Sequence, residues 1–473
     1  MPEQKKGTKG TKKKESTAKS PEAKAGKEVP SKKTKAPPEL LRGFRDILPK
    51  EQAAWDLIRD TARGLAEAYS FDRIDLPLLE RSEVFNRTIG AQTDIVEKEM
   101  YNFQDPSGRS VSLRPEATAS IARAYLNHGM LELPQPVKLW YVGPMFRHDR
   151  PQAGRYRQFH QFGFEVLGAD EPIVDAQLIL ILNEFFKELG IDVNIQINSI
   201  GTPESRQSYL TELVAYFRPH RSKLGEDDKK RLQKSPLRLL DSKDPAVQEL
   251  LQGAPQIVDW IDDDSKQHFM RVLEFLDEVE VPYVLNPYLV RGLDYYTRTV
   301  FEVWPADDDG TKAQNAFGGG GRYDKLIETL GGERETAACG FAVGMERVAR
   351  TLLEREHPPE PKNQPDVFFA QLGDAARRVG LGLFEEFRKA GIPVAEAFGK
   401  NALKAQLEVA NKLNVKLTLI LGQKEVLDET VIVRDMDSGA QEIVDMKKIV
   451  SIVEKKLQKS EGVEPVRQQA VED

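Results

Sequence analysis

Two adjacent tyrosines near residue 291 lie in the part of the sequence that is richest in potential chemistry. Residues 291–302 read RGLDYYTRTVFE, which places two arginines and two carboxylates around Tyr295 and Tyr296, beside a strand-like run at 299–304. Arginine offers forked donors for phosphate or carboxylate, and tyrosine offers an apolar ring with a hydroxyl group. A structural strand rarely carries so much polarity. The pattern therefore predicts a pocket for an anionic group and a small polar ring.

A second segment, residues 142–165, is predicted to form a strand, a basic loop and another strand. Alternate side chains of a strand point to opposite faces. One face of the second strand carries Phe159, Gln161, Gly163 and Glu165, which is typical of a ligand platform, and the alternate residues are expected to be mostly core. Four arginines flank it, enough to clamp a polyphosphate: Arg147, Arg150, Arg155 and Arg157. The alternative is a salt-bridged surface hairpin.

Together these segments resemble the class II aminoacyl-tRNA synthetases, in the form found in histidyl-tRNA synthetases. The matches are residues 76–80 for the first shared motif, 142–165 for the second, 340–348 for the third, and 114–118 and 291–302 for two histidyl segments. They run in the family's order from about residue 40 to 455. Ala117 stands where the family usually has glycine, a change that leaves Glu116 and Thr118 in place.

The resemblance implies an enzyme that activates L-histidine with ATP and transfers it to the 3′ end of histidine tRNA. Mg²⁺ is expected with ATP, held largely by phosphates and water, and the sequence predicts no dedicated metal site. By similarity, Arg147 and Arg291 are the catalytic residues, on either side of the α-phosphate. The implied ATP-binding residues are Arg147, Arg155, Phe159 and Arg347. The implied histidine-binding residues are Glu116, Thr118, Gln161, Glu165, Tyr295 and Tyr296. Arg150 and Gln152 are expected to contact the acceptor end of the tRNA.

The fold implied is an α+β catalytic domain, an antiparallel sheet with flanking helices, with a helical insertion and a C-terminal α/β anticodon-binding domain. Such enzymes are usually homodimers joined through the first motif. The predicted divisions are a disordered Lys-rich tail at 1–38, the catalytic domain at 39–200 and 281–356, the insertion at 201–280, a linker at 357–365, the C-terminal domain at 366–460 and a flexible end at 461–473.

Periodicity and turn residues predict several individual elements. Trp55, Ile58, Ala62, Leu65 and Tyr69 have the spacing of an amphipathic helix. A further helix is predicted at about 341–355. The glycine run at 318–321 lacks the Lys-Ser/Thr of a nucleotide P-loop, so a tight turn lining the histidine pocket is favoured over a phosphate loop.

Composition and charge limit the class of protein. No run approaches the roughly 20 apolar residues of a membrane helix, and the single Cys339 excludes an intramolecular disulfide and favours a reducing, cytoplasmic setting. Residues 1–36 hold 12 Lys and 4 Glu, which gives this segment a charge of +8. Since the net charge of the whole chain is -7, the remaining residues together carry -15. This tail either adds attraction to RNA phosphates or serves only solubility.

Two other functions are compatible with parts of the pattern. One is a regulatory paralogue of the kind that assists ATP phosphoribosyltransferase, and the other is an inactive RNA-binding or sensor module. The first typically lacks the C-terminal domain and has a degraded histidine signature. The second would be expected to lose Arg147, Arg291 or Glu116. Because this chain keeps all of these features, we favour an active ligase.

Overall fold

Most segments predicted to be strands pair into one large sheet. The computed structural model describes residues 37–90, 93, 95–149, 155–242, 244–306, 316–361 and 364–460. The strands of the N-terminal part are β1 (Asp72–Arg73), β2 (Leu79–Arg81), β3 (Asn102–Gln104), β4 (Ser110–Leu113), β5 (Val137–Phe146), β6 (Gln158–Leu167), β7 (Val193–Ser199), β8 (Val284–Leu285), β9 (Thr297–Pro305), β10 (Gly318–Arg322) and β11 (Ala338–Gly344). Its helices are α1 (Gln52–Ala68), α2 (Ser82–Thr88), α3 (Thr118–Asn127), α4 (Pro172–Glu188), α5 (Pro203–Phe217), α6 (Glu226–Lys234), α7 (Pro245–Leu251), α8 (Asp263–Glu278), α9 (Leu326–Thr329) and α10 (Met345–Leu353). Most of the predicted tail, residues 1–36, and the predicted C-terminal end, 461–473, lie outside the described residues.

The main sheet of the described chain has the strand order β1-β5-β6-β11-β10-β9-β7-β8. Its central strands, from β5 to β7 in this order, are antiparallel to their neighbours. The two-residue strands β1 and β8 pair in parallel at the edges. The predicted antiparallel sheet with flanking helices is therefore confirmed, with the correction that both edges are parallel. Strands β2, β4 and β3 form a separate small antiparallel sheet.

The largest core cluster includes side chains of this sheet and of helices α1, α4, α8 and α10. The predicted helix α1 is confirmed, and it buries Trp55, Ile58 and Leu65 on one face. On β6, Phe162 and Phe164 are fully buried in the same cluster. That arrangement confirms the predicted core face of β6. Because side chains alternate along a strand, the residues of the other face are turned away from this core.

The segment predicted as a helical insertion is helical and, among its described residues, has no strand. Its last helix, α8, packs Phe269, Val272 and Leu276 into the main core. Its first helix, α5, instead buries Tyr209 and Leu213 in a second cluster that also contains pocket-side residues of the sheet. Helix α8 is therefore part of the main hydrophobic core, whereas α5 packs on the opposite side of the sheet.

Two predictions for the catalytic part are wrong. The helix predicted at 341–355 begins only at Met345, because residues 338–344 form β11 and pair with β6 on one side and β10 on the other. An apolar run that is buried on both faces gives no periodicity to separate strand from helix. The glycine run at 318–321 is not a tight turn but most of β10, a strand inside the sheet.

The C-terminal domain is a second sheet with helices on both faces. Its strands are β12 (Val367–Gln371), β13 (Val394–Glu396), β14 (Leu417–Leu421), β15 (Thr430–Asp435) and β16 (Gln441–Asp445), in the order β13-β12-β14-β15-β16. Its helices are α11 (Asp374–Lys389), α12 (Leu403–Lys412), α13 (Gln423–Leu427) and α14 (Ile449–Ser460). The predicted C-terminal α/β domain is confirmed. None of the described helices is both long and apolar enough to cross a membrane.

Gly320→Ala is expected to destabilise the domain built on the main sheet strongly. A Cβ at this position would lie 2.0 Å from the carbonyl oxygen of Gly340 and 2.7 Å from the Cα of Phe341, so the clash is with backbone. Overpacking of this kind costs about 1–3 kcal/mol or more. Urea unfolding measures the loss. Gly64→Ala, on the exposed side of α1 with nothing within 4 Å of the new Cβ, is the control and should be neutral or stabilising by up to about 1 kcal/mol. Equal stability of both variants would contradict the close approach of β10 and β11.

Candidate active site

A buried carboxyl group, Glu165 on β6, is at the centre of the predicted histidine pocket. It is 1% exposed. The Thr118 hydroxyl donates to its Oε1 at 2.7 Å, and the Tyr323 hydroxyl donates to its Oε2 at 2.6 Å. Burial raises the pKa of Glu165 from 4.5 to about 8, although the two hydroxyl donors act in the opposite direction. Each oxygen still has lone-pair capacity for a further donor.

A second buried carboxyl group, Glu116, fixes the start of α3. Its Oε2 accepts the backbone N–H of Thr118 at 2.6 Å, and its Oε1 accepts that of Ala119 at 3.0 Å. Burial raises the pKa of Glu116, while these backbone donors and the nearby Arg147 lower it. The side chain therefore satisfies the first turn of the helix and holds Thr118 in position against Glu165.

Three buried tyrosines lie around Glu165. The rings of Tyr295 and Tyr296 have centroids 4.7 Å apart, and those of Tyr295 and Tyr323 are 5.8 Å apart. Gly321 has a φ of +155°, and a Cβ there would lie 3.0 Å from Cδ1 of Tyr296. The backbone carbonyl of Tyr296 accepts a hydrogen bond from Arg206 of α5 at 2.6 Å. The helical insertion is thus tied directly to the segment that carries the tyrosines.

A cleft of about 280 Å³ contains the residues predicted to bind ATP. The predicted residues that line it are Arg147, Arg155, Phe159, Gln161, Arg291 and Arg347. They come from the residue after β5, the loop before β6, β6 itself, the segment before β9 and the start of α10. The structure brings these residues together, and their individual roles stay predictions.

The arginines of the cleft are held by neighbouring oxygens. Arg291 pairs with Glu302, and Arg155 pairs with Asp149. The Nε of Arg147 donates to the Pro115 carbonyl at 2.9 Å, and its guanidinium lies 5.3 Å from the ring centroid of Phe159. Burial, together with the like charge of Arg155 and Arg350, lowers the pKa of Arg347. A polyanion in this cleft would relieve that repulsion.

Several buried polar atoms near the cleft have no hydrogen-bond partner among the described atoms. They include the Oε1 of Gln161, the hydroxyl of Tyr141 and the Nε of Arg291. Leaving such groups unpaired costs roughly 1–3 kcal/mol each. Tyr141 lies on β5 opposite Gly163, and a Cβ on Gly163 would lie 2.5 Å from the Tyr141 hydroxyl. The absence of a side chain at Gly163 gives the Tyr141 hydroxyl its room.

The start of α10 is attached to the platform strand by a glutamate. Glu346 accepts from the backbone N–H of His160 at 2.8 Å and lies 3.0 Å from its Nδ1. The edge of the Trp55 ring packs against His160 with centroids 5.2 Å apart. Because Arg347 follows Glu346 in sequence, this attachment fixes the place from which Arg347 reaches into the cleft.

The family of the chain follows from its match to family models. A model described as histidyl-tRNA synthetase matches residues 43–204 and 211–348, and one described as anticodon binding domain matches residues 366–456. The chain belongs to the histidyl-tRNA synthetase family.

Similar proteins extend over most of the chain. Proteins named histidine–tRNA ligase from Dehalococcoides mccartyi and Halorhodospira halophila are 43% and 46% identical to it, over 417 and 399 residues. The first alignment covers 88% of this chain and 99% of that protein, and the second covers 84% and 92%. The apo histidyl-tRNA synthetase structure of S. aureus has 34% identity and a TM-score of 0.71, over 88% of this chain and 99% of the other.

Some expectations drawn from the synthetase resemblance fall outside this geometry, and two pocket residues were not predicted. Arg150 and Gln152 lie outside the described residues, so their expected contact with the tRNA acceptor end stays a prediction.

Tyr141 and Tyr323 are not among the residues that the sequence predicts for the site. The only sequence signal for Tyr323 is its position two residues after the glycine run. Tyr141 becomes visible only through its register with Gly163. Within the described ranges, no group of three or more His, Cys, Asp or Glu side chains could hold a metal ion.

The raised pKa of Glu165 predicts a pH-dependent contribution to stability. The folded state keeps this proton up to a pH of about 8, whereas an ordinary glutamate loses it near 4.5. Between these values the folded state binds more protons, so the contribution of this carboxyl group to the free energy of unfolding falls as pH rises. Glu165→Gln removes the titration.

The free energy of unfolding of Glu165→Gln minus that of the wild type should therefore increase by about 1.4 kcal/mol for each pH unit inside this window. Urea unfolding at several pH values measures the difference. Glu274→Gln, at an exposed carboxylate of α8, corrects for the general loss of a charge. A difference that is independent of pH would show that Glu165 is already ionised throughout the window.

Proposed function

We propose that the cleft and the pocket behind Glu165 carry out the two steps of histidine–tRNA ligation. The enzyme activates L-histidine with ATP to histidyl-adenylate and then transfers histidine to the 3′ end of its tRNA. The observation that supports this proposal best is the continuity of β6. Phe159 and Gln161 line the arginine-rich cleft, and Glu165 lies further along the same face, among the buried tyrosines.

In the first step, the carboxylate of histidine attacks the α-phosphorus of ATP and pyrophosphate leaves. Reactions of this type depend on positioning and on neutralising charge. Arg147 holds the carboxylate against the α-phosphate, and Arg291 stabilises the charge that grows on the α-phosphate from the other side. Glu302 keeps Arg291 in place, since the two side chains are paired in the cleft.

The same cleft offers a complete set of contacts for ATP. Phe159 stacks with adenine, while Arg155 and Arg347 bind the outer phosphates. Mg²⁺ accompanies the nucleotide, held by phosphate oxygens and water. The cleft carboxylates Asp149 and Glu302 each already neutralise an arginine, which fits a cation bound mainly through ATP.

Selectivity for histidine comes from the buried pocket. Glu116, Thr118 and Gln161 bind the amino group, and Glu165 and Tyr296 bind the two ring nitrogens, with Tyr295 alongside. Glu165 already accepts hydrogen bonds from two hydroxyls. A ring N–H of histidine is a third donor to this buried carboxyl group. An amino acid without such a donor leaves these groups unpaired and is rejected.

In the second step, the terminal ribose hydroxyl of the tRNA attacks the adenylate carbonyl, and AMP leaves. Arg150 and Gln152 contact the acceptor end, and the C-terminal domain binds the anticodon. A regulatory role in place of ligation is disfavoured, because residues 366–456 match an anticodon-binding domain and the histidine signature at 291–302 is complete.

The proposed ligase is a homodimer that works in the cytoplasm, where ATP and tRNA are found. Support for the dimer comes from the first motif and from the small sheet that begins within it. Leu79 on β2 and Phe103 on β3 are 47% and 46% exposed, and Leu78 beside them is 42% exposed. A second copy packed through this region would remove these apolar side chains from water.

Arg291→Ala is predicted to lower histidine-dependent ATP–pyrophosphate exchange by about 10²–10³-fold, because it removes a preorganised donor to developing charge. Arg271→Ala is the matched control. That arginine is exposed on α8 and paired with Glu274 at 2.9 Å, and its loss should leave exchange unchanged. Near wild-type exchange by a folded Arg291→Ala variant would rule out the catalytic role given to Arg291.

A further inference from the structure

The segment that carries Arg291, Tyr295 and Tyr296 belongs to neither a helix nor a strand. Residues 291–296 end where β9 begins, at Thr297. Side chains on such a segment keep a fixed geometry only if groups outside it hold its backbone. The positions of the residues proposed to bind histidine and the α-phosphate therefore depend on neighbouring elements.

One of these neighbours is α5, the first helix of the insertion. The guanidinium of Arg206 donates from Nη2 to the backbone carbonyl of Tyr296 at 2.6 Å. Hydrogen bonds from a charged donor are roughly twice as strong as those between neutral groups. Arg206 thus holds the backbone of the residue whose side chain is proposed to bind the imidazole ring of histidine.

Helix α5 is itself fixed to the first residues of β9. Directly before the helix, the backbone of Ile200 donates to the carbonyl of Arg298, and the backbone of Arg298 donates to the carbonyl of Gly201, both at 2.8 Å. Arg298 has a φ of +48°, a strained conformation that persists only where the surrounding structure imposes it. Arg206 therefore reaches Tyr296 from a base whose place relative to β9 is set.

A carboxylate within the segment adds an electrostatic attraction to the insertion. The backbone N–H of Asp294 donates to the Ile89 carbonyl at 3.1 Å, and a Cβ on Gly90 would lie 2.0 Å from its Oδ2. Desolvation by these neighbours raises the pKa of Asp294, while the positive charges of Arg238 and Arg206 act in the opposite direction. The segment is therefore attached to the residues that follow α2 and attracted to two arginines of the insertion.

The burial of Arg206 carries a cost that packing alone does not require. The side chain is half-buried, and its Nε is buried without a hydrogen-bond partner among the described atoms. Burial lowers the pKa of Arg206, whereas the negative charges of Asp294 and Glu204 raise it. An apolar side chain of similar length would fill this space without leaving a donor unpaired. Local costs of this kind are expected at functional positions.

We propose that Arg206 is a positioning residue for histidine, which holds the Tyr296 backbone so that the Tyr296 side chain meets the imidazole ring. This inference rests on the proposed function and deepens it, because it makes the insertion part of the amino-acid site. Arg238 supports the same segment more weakly, with Nη2 at 3.4 Å from the Gly292 carbonyl.

The nucleotide end of the segment is held by β9. Arg291 pairs with Glu302, and both side chains line the arginine-rich cleft. Loss of Arg206 should therefore disturb the histidine pocket more than the binding of ATP. The expected signature is a raised KM for histidine with a KM for ATP near that of the wild type, a split that a general loss of stability would not produce.

The test compares three variants in ATP–pyrophosphate exchange. Arg206→Met removes the donor and the charge, Arg206→Lys keeps a charged donor, and Arg218→Ala removes an exposed arginine at the C-terminal end of the same helix. Arg206→Met should raise the KM for histidine by about 5- to 50-fold, which lies within the contribution of one hydrogen bond to a charged group. Arg206→Lys should restore part of the loss, and Arg218→Ala should match the wild type.

Amide hydrogen exchange without substrates follows the segment directly. Peptides that contain residues 292–296 should exchange faster in Arg206→Met than in the wild type, and peptides from the middle of β9 should not change. If Arg206→Met does not fold, Arg206→Lys takes its place in both measurements, and its smaller effect must still fall on the KM for histidine.

An unchanged KM for histidine, equal increases in both KM values, or unchanged hydrogen exchange at 292–296 would each overturn the inference. Wild-type protein without histidine-dependent exchange would instead overturn the proposed function. In that case the hydrogen-exchange comparison would still test whether Arg206 holds the segment.

Discussion

A buried carboxyl group is the constraint on which the site depends. Glu165 can be enclosed only because Thr118 and Tyr323 donate to its two oxygens. These three residues come from β6, the start of α3 and the position directly after β10. An unsatisfied group at this depth would cost several kcal/mol. The three segments must therefore meet at hydrogen-bond distance, and the pocket takes its shape from that requirement.

The surroundings of Tyr323 show how the fold meets this requirement. Glycines at 318–320 allow β10 to lie between β9 and β11, where a Cβ would meet backbone. Arg322 is fully buried and donates to Asp175 at 2.7 Å and to Asp324 at 3.2 Å. This pairing holds the pKa of Asp175 far below its ordinary value despite burial. Removal of one partner from a buried ion pair leaves an uncompensated charge, so the end of β10, and with it Tyr323, has little freedom to move.

The sequence predicts the side chains of the site better than the path of the backbone. Alternation along β6 correctly separates the core face of Phe162 and Phe164 from the face of Gln161 and Glu165, because period-two patterning is local. Strand β10 was predicted to be a turn, since its glycines have no side-chain signal and their pairing with β9 and β11 is long-range. Tyr141 was missed for the same reason.

Glu165 is proposed to be the residue that selects histidine, and one kinetic comparison tests this role most directly. ATP–pyrophosphate exchange by Glu165→Ala should show a KM for histidine raised by roughly 10- to 100-fold, the cost of one hydrogen bond to a charged or buried group. The KM for ATP should remain near that of the wild type, because the nucleotide binds in the neighbouring cleft. If both constants rose together in a folded variant, or if only the KM for ATP changed, Glu165 would support the strand rather than contact the substrate, and the account would be contradicted.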